Sequence, residues 1–206
     1  MSVYRSPLLG LALLSVAALA HADLSYTFDN DAQGFTVNAP AGLLSHEAVG
    51  YISVQDLTDQ TNVALIFPDV AVAGGWQAYA GGTLSFDARL ASPISSYWPE
   101  FGAVSLVSGA GTLLLDAVPN GEPGTDWKTY SVTLDAATWG STPTQFQAVL
   151  SSLQRVEINM EAGNGAIETI HIDNVSVTAV PEPSTWALSS VGLMLAGLAV
   201  RRRRAA

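Results

Sequence analysis

The sequence predicts an all-β fold. The body is an antiparallel two-sheet β-sandwich with one short helix. An N-terminal signal helix precedes it and a C-terminal transmembrane helix follows it. Three observations carry this prediction. Apolar and polar residues alternate with period two over many short stretches, as in strands with one face in a core and the other in water. One stretch, around Phe146, switches to helical spacing. Each end of the chain has a short apolar run flanked by arginine, and neither run alternates.

The elements follow in chain order. Arg5 supplies a positive n-region, Leu8 to Ala20 an apolar h-region, and Ala20-His21-Ala22 a small-x-small cleavage site. Residues 1–22 therefore read as a secretory signal peptide, cut by signal peptidase before Asp23. The alternative is a retained N-terminal anchor. Short strands are expected at Leu24–Phe28, Val49–Gln55 and Asn62–Phe67. In Gly82–Leu90, Leu84, Phe86, Ala88 and Leu90 alternate with Ser85, Asp87 and Arg89. Gly102–Val107 and Thr112–Asp116 are further strands, followed by a Gly/Pro loop, Asn120-Gly121-Glu122-Pro123-Gly124. In Trp127–Leu134, Tyr130, Val132 and Leu134 face one way and Thr129, Ser131 and Thr133 the other.

Thr142-Pro143-Thr144-Gln145 reads as a capping box with proline at the first helical position. Phe146, Val149, Leu150 and Leu153 then share one helical face, which is expected to lie over an open end or edge of the sandwich. In Gln154–Glu161, Val156, Ile158 and Met160 alternate with Arg155, Glu157, Asn159 and Glu161. In the last strand, Ile170 and Ile172 share one parity while Val175 and Val177 share the other. That phase change predicts a β-bulge at Asp173-Asn174. With no βαβ alternation, the elements give two packed sheets.

The C-terminus reads as an address label. Pro181-Glu182-Pro183 is followed by an apolar run from Trp186 to Val200 and then by Arg201, Arg202, Arg203 and Arg204. The run is 15 residues long, against the roughly 20 of a comfortable membrane span. It crosses only with help from its flanks or a thinned bilayer, and the arginines resist translocation. In this order the segments resemble the PEP-CTERM sorting signal of Gram-negative bacteria. The resemblance implies recognition by an exosortase, a membrane cysteine protease-transpeptidase, which removes the tail. The inner membrane then holds the protein only transiently. The alternative is a permanent tail anchor. The organisation is thus 1–22 signal peptide, 23–180 sandwich and 181–206 sorting signal, with 186–200 as the membrane segment.

Residues 23–180 hold three basic residues, Arg89, Lys128 and Arg155, against 17 acidic ones, a formal charge of −14. Such a domain repels nucleic acid and anionic headgroups. The chain has no cysteine, so disulfides, thiol catalysis and thiolate metal sites are excluded. A domain of this length buries a core without covalent staples.

Several stretches resemble the laminin B module (laminin domain IV). Phe28-Asp29-Asn30-Asp31-Ala32-Gln33-Gly34-Phe35 matches its opening acidic turn, and Gly50-Tyr51-Ile52 through Asp56 a following strand. Phe67-Pro68 and then Gly75-Trp76 through Phe86 are similar to its Pro…Gly…Tyr-Gly-Gly-x-Leu-x-Phe pattern, with Ala80 as an extra residue. Trp127 through Leu134, Trp139, Phe146, Val149-Leu150 and Leu153 follow its later spacing, and Ile172-Asp173-Asn174-Val175 its closing strand. The resemblance implies a jelly-roll sandwich like that of many carbohydrate-binding modules. It also implies core positions for Trp76, Trp127 and Trp139. The cysteine-rich repeats that flank animal modules are missing, so no laminin-like assembly role is implied.

Catalytic motifs are scarce. No Gly-x-Ser-x-Gly elbow, His-Glu-x-x-His helix or phosphate loop occurs. Outside the signal peptide only His46 and His171 remain. His171-x-Asp173 reads as a surface histidine near a structural aspartate. Asp29/Asp31 and Glu157/Glu161 read as solvated acids, with a glycosidase dyad as the alternative. The resemblance in fold implies a structural Ca²⁺ between the N-terminal turn and the last strand. The matching acids are Asp29, Asp31 and Asp173; the alternative is that they only shape a turn and a bulge. Tyr97-Trp98-Pro99-Glu100 sits in a proline-bounded loop, where two rings and a carboxylate suit a sugar; the alternative is that the rings cover the sandwich edge. The sequence therefore predicts an exported, non-enzymatic surface or matrix protein that is adhesive or glycan-binding and meets extracellular polysaccharide. A purely structural matrix protein and an exopolysaccharide-modifying enzyme are the other readings.

Overall fold

The computed structural model describes residues 22–58, 62–117, 122–165 and 167–180. His21–Val180 is a compact unit of its own. It contains eleven named strands: β1 Leu24–Tyr26, β2 Thr36–Val37, β3 Gly42–Glu47, β4 Tyr51–Asp56, β5 Ala64–Ile66, β6 Thr83–Leu90, β7 Ala103–Ser108, β8 Gly111–Asp116, β9 Lys128–Thr133, β10 Leu153–Asn159 and β11 Thr169–Thr178. Two helices, α1 Asp69–Val72 and α2 Pro143–Ser151, and a 3-10 turn at Gln77–Tyr79 complete it. All pairings are antiparallel. One sheet runs β3-β4-β11-β6-β9, with β1 also on β11, and the other runs β2-β5-β10-β7-β8.

Both sheets contribute to one apolar core. Ile52, Val54, Leu84, Phe86, Ile170 and Val175 come from the first, and Leu65, Val104, Leu106, Val156 and Ile158 from the second. β6 is buried at every second residue along its length, as its alternation predicts. The bulge also falls where the phase change places it. The β11–β6 register shifts between Asp173 and Ser176, and Asn174 takes a positive φ of 50°. The extra residue keeps Ile170, Ile172, Val175 and Val177 all pointing inward. Beyond it, β11 exchanges its neighbour: Thr169–Ile172 pair with β4 and Val175–Val177 with β1.

α2 starts as its cap predicts, with the Thr142 side chain accepting from Gln145 N. The Gln145 side-chain amide also donates to the Ala110 carbonyl at 2.9 Å. Phe146, Val149 and Leu150 are buried on the helix. Leu153 is buried as well, but the helix stops at Ser151 and Leu153 opens β10. A strand residue can share a core with the helix before it, so the i+7 spacing there is fortuitous. β10 ends at Asn159, and with it the alternation. Glu161, expected on the wet face, is only 5% exposed.

The sandwich has two poles. One gathers the chain ends: Ala179 N donates to Asp23 Oδ1 at 3.0 Å, and Tyr79 Oη donates to the Ala22 carbonyl at 2.8 Å. Gly82 allows the close passage there, since a Cβ on it would lie 1.8 Å from the Thr178 carbonyl oxygen. The other, distal pole holds the end of β4, the start of β11 and the loop from Ala91 to Gly102.

Among the described residues no helix is long and apolar enough to cross a membrane. The cleavage-site residue Ala20, the sorting-motif residues Pro181, Glu182, Pro183 and Arg201–Arg204, and the 186–200 segment lie outside the described residues.

Candidate functional site

Strand register on the outer face of the β3-β4-β11-β6-β9 sheet assembles an aromatic and cationic cluster. His171 of β11 lies opposite Arg89 of β6. Tyr51 opens β4, and its ring meets His171 at 4.6 Å and Trp127 at 5.7 Å. The Arg89 guanidinium lies 4.8 Å from the Trp127 ring and 5.6 Å from that of Tyr51, within cation–π reach. Trp127 is 40% exposed, which corrects its expected core position. It precedes β9 with the parity of Thr129 and Ser131, opposite to buried Tyr130 and Val132, so strand parity turns it to solvent. Trp76 and Trp139 are buried as expected, their indole N–H groups donating to the carbonyls of Ala71 and Thr133. Burial first, and Arg89 second, hold the His171 imidazole below its ordinary pKa, with Glu47 pulling the other way.

The Tyr97–Glu100 loop lies at the distal pole. Tyr97 is 40% exposed and forms a β-bridge with Gly163. Trp98 is half-buried, its backbone N–H donating to the Ala162 carbonyl at 2.8 Å. Its indole nitrogen is shielded from solvent without a partner. Glu100 is exposed. One ring of the pair is thus open to a ligand and the other partly covers the edge.

The acids expected to hold calcium are arranged differently. Asp29 accepts from the Thr27 hydroxyl at 2.6 Å, and Asp31 from Gln33 N at 2.7 Å, both within the N-terminal turn. Asp173 accepts from Asn174 N. Burial chiefly, then the nearby charges of Asp87 and Asp29, push the Asp173 carboxyl up. Asp29, Asp31 and Asp173 do not converge within 4.8 Å of one another.

Three other carboxylates do converge. One oxygen each from Asp56, Glu161 and Glu168 lies within 4.8 Å of the others. They are 1%, 5% and 6% exposed. Glu168 Oε1 accepts from Ala162 N and Gly163 N at 2.7 and 2.8 Å. Glu161 Oε2 accepts from Val63 N at 3.4 Å, and Asp56 Oδ1 from Thr58 N at 3.0 Å. Burial and the charges of Asp56 and Glu168 push the Glu161 carboxyl up to about 7. Burial also raises Glu168, against the pull of its two backbone donors. Glu157, which the sequence pairs with Glu161 as a possible dyad, instead meets Arg155 at 2.8 Å.

Residues 179–204 match the model of the PEP-CTERM protein-sorting motif, which marks an exported protein with a membrane-anchored intermediate. No curated protein matches the chain. Among solved structures, the fold is similar to the L4b domain of human laminin alpha-2, at 10% identity and a TM-score of 0.55, over 77% of this chain and 98% of that one. It is also similar to part of an exo-beta-agarase, at 14% identity and a TM-score of 0.53, over 76% of this chain and 24% of that one. A family 22 carbohydrate-binding module of Clostridium thermocellum Xyn10B aligns at 14% identity and a TM-score of 0.48, over 76% of this chain and 93% of that one. The chain is thus similar to a laminin-like module in its body and carries the PEP-CTERM sorting motif at its C-terminus.

Proposed function

We propose that residues 23–180 are a non-catalytic, glycan-binding jelly-roll module, displayed at the cell surface or in the extracellular matrix after export. Signal peptidase and an exosortase mature its two ends, and its partner is a neutral extracellular polysaccharide. One observation carries the binding reading: the outer sheet face presents Trp127 beside Tyr51, His171 and Arg89. The exposed part of an indole held in place by its neighbours offers apolar surface to a sugar ring at little conformational cost. The Arg89 guanidinium beside it is a donor for sugar hydroxyls. Tyr97 adds a second exposed ring at the distal pole. The sorting motif supports the location, and the likeness to laminin and agarase modules supports the fold alone.

The test is binding of the mature protein to neutral matrix polysaccharide, compared with Trp127→Ala and Tyr97→Ala/Trp98→Ala after both variants are shown to be folded. Loss of about 1.4 kcal/mol, a tenfold weakening, is expected for Trp127→Ala. Affinity should change little with salt, since few charges meet the ligand. Equal affinity in all three proteins removes these surfaces as the site. No binding by wild type favours a structural matrix role, and cleavage of the polymer favours an enzyme.

A further inference from the structure

We propose that Asp56, Glu161 and Glu168 form a calcium site that ties the chain just after β10 and just before β11 to the end of β4. The proposal does not depend on glycan binding, and it concerns residues other than the acids of the N-terminal turn.

The first argument is charge. Three carboxylates removed from water need a counter-charge or protons. The domain offers three lysine or arginine side chains, and each is engaged elsewhere. Arg89 lies over Tyr51 and Trp127, Lys128 over Tyr130, and Arg155 against Glu157. With those three side chains engaged elsewhere, protons or a cation from solution remain to balance the cluster.

The second argument is the state of the ligand atoms. Glu168 is 6% exposed, and its Oε2 is buried without a hydrogen-bond partner. Its Oε1 is fixed by two backbone N–H groups, so the carboxylate is held rigidly with one oxygen spare. The Thr58 hydroxyl, two residues beyond Asp56, is likewise shut away from solvent without a partner. Buried polar atoms in this state are uncommon in native proteins, and a water or an ion at the site is one of their physical explanations; here two of them flank the converging carboxylates.

The third argument is geometry. Calcium binds oxygen at about 2.3–2.6 Å, so two oxygens on opposite sides of one ion stand about 5 Å apart. The 4.8 Å limit that contains all three ligand atoms fits within that span. The donor set is all oxygen, which suits calcium over zinc. Carboxylates that can bind through both oxygens suit its irregular shell of six to eight better than the strict octahedron of magnesium.

Such an ion ties three separate pieces of chain: the end of β4, the residue two places past β10 and the residue before β11. Between the last two lie Ala162 and Gly163, which hold Trp98 N and bridge Tyr97. Filling the site therefore stiffens the support of the Tyr97–Trp98 loop.

The experiment uses the full chain in detergent, stripped with a chelator and then titrated with Ca²⁺ or Mg²⁺. Thermal unfolding and equilibrium dialysis against radioactive calcium are the readouts. One bound Ca²⁺ per chain is expected, with a rise in Tm of about 5–10 °C at a hundredfold excess over Kd and a much smaller rise with Mg²⁺. Glu161→Gln and Glu168→Gln, which keep shape and remove charge, should each lose most of the rise, while Asp173→Asn keeps it. An unchanged Tm and less than one ion per wild-type chain overturns the proposal, and this arm holds even if a variant fails to fold. A full response in Glu168→Gln, or its loss in Asp173→Asn alone, places the ion elsewhere and also overturns it.

Discussion

His171 shows how one residue's surroundings become a pH dependence. Its ring lies against Tyr51 with Arg89 close by, and Nδ1 is buried without a partner. The folded domain therefore resists protonating it. A base whose folded pKa is depressed adds no penalty above its unfolded value of 6.5, but stability falls as pH drops below that value, because the unfolded chain then binds the extra proton. Urea unfolding at pH 7, 6 and 5 should show wild type losing more stability than His171→Gln. Equal slopes would mean that the folded state tolerates the imidazolium. The residue scale is also where the sequence is least legible. Asp56 and Glu161 stand more than a hundred positions apart, and no spacing rule joins them. They meet because antiparallel register brings three strand ends to one pole. Trp127 has the opposite lesson: its outward parity was readable from Tyr130 and Val132, and the family pattern pointed the other way.

At the scale of elements, legibility follows burial. β6 alternates cleanly because one face lies fully in the core. β3 leaves no alternation in the sequence because it is an edge strand: Leu43 is 55% exposed and Leu44 only half-buried, so neither face is uniformly apolar. α1, at four residues, is too short for any helical period to register. α2 was legible at its start, where the Thr142 cap and Pro143 act locally, and less so at its end, where helix and strand share a core. Leu150 is fully buried, so Leu150→Ala should cost about 2–5 kcal/mol. Thr142→Ala removes only one cap and should cost about 1 kcal/mol. Denaturant titration of the two variants checks both values. Similar losses would show that packing does not dominate the helix's stability.

At the scale of the whole molecule, the proposed processing makes a direct prediction. Protein recovered from the cell surface should begin at Asp23 and lack Arg201–Arg204, which mass spectrometry of the intact chain reads directly. A mature species that retains the arginines would favour a permanent anchor. The two ends of the described domain lie together, with Ala179 N donating to Asp23 Oδ1. That closure has a mechanical consequence. Any pull on the chain beyond Val180 enters the domain along β11, an interior strand of its sheet, gripped by β6 on one side and by β1 and then β4 on the other. Ladder bonds lie across the strand axis, so the load reaches many of them together, in shear, and none can be opened singly from the end. His171 sits nine residues inward from Val180, roughly 30 Å of extended strand. The strand that would bear such a load therefore also carries His171 of the aromatic face, so tension and that face share one element.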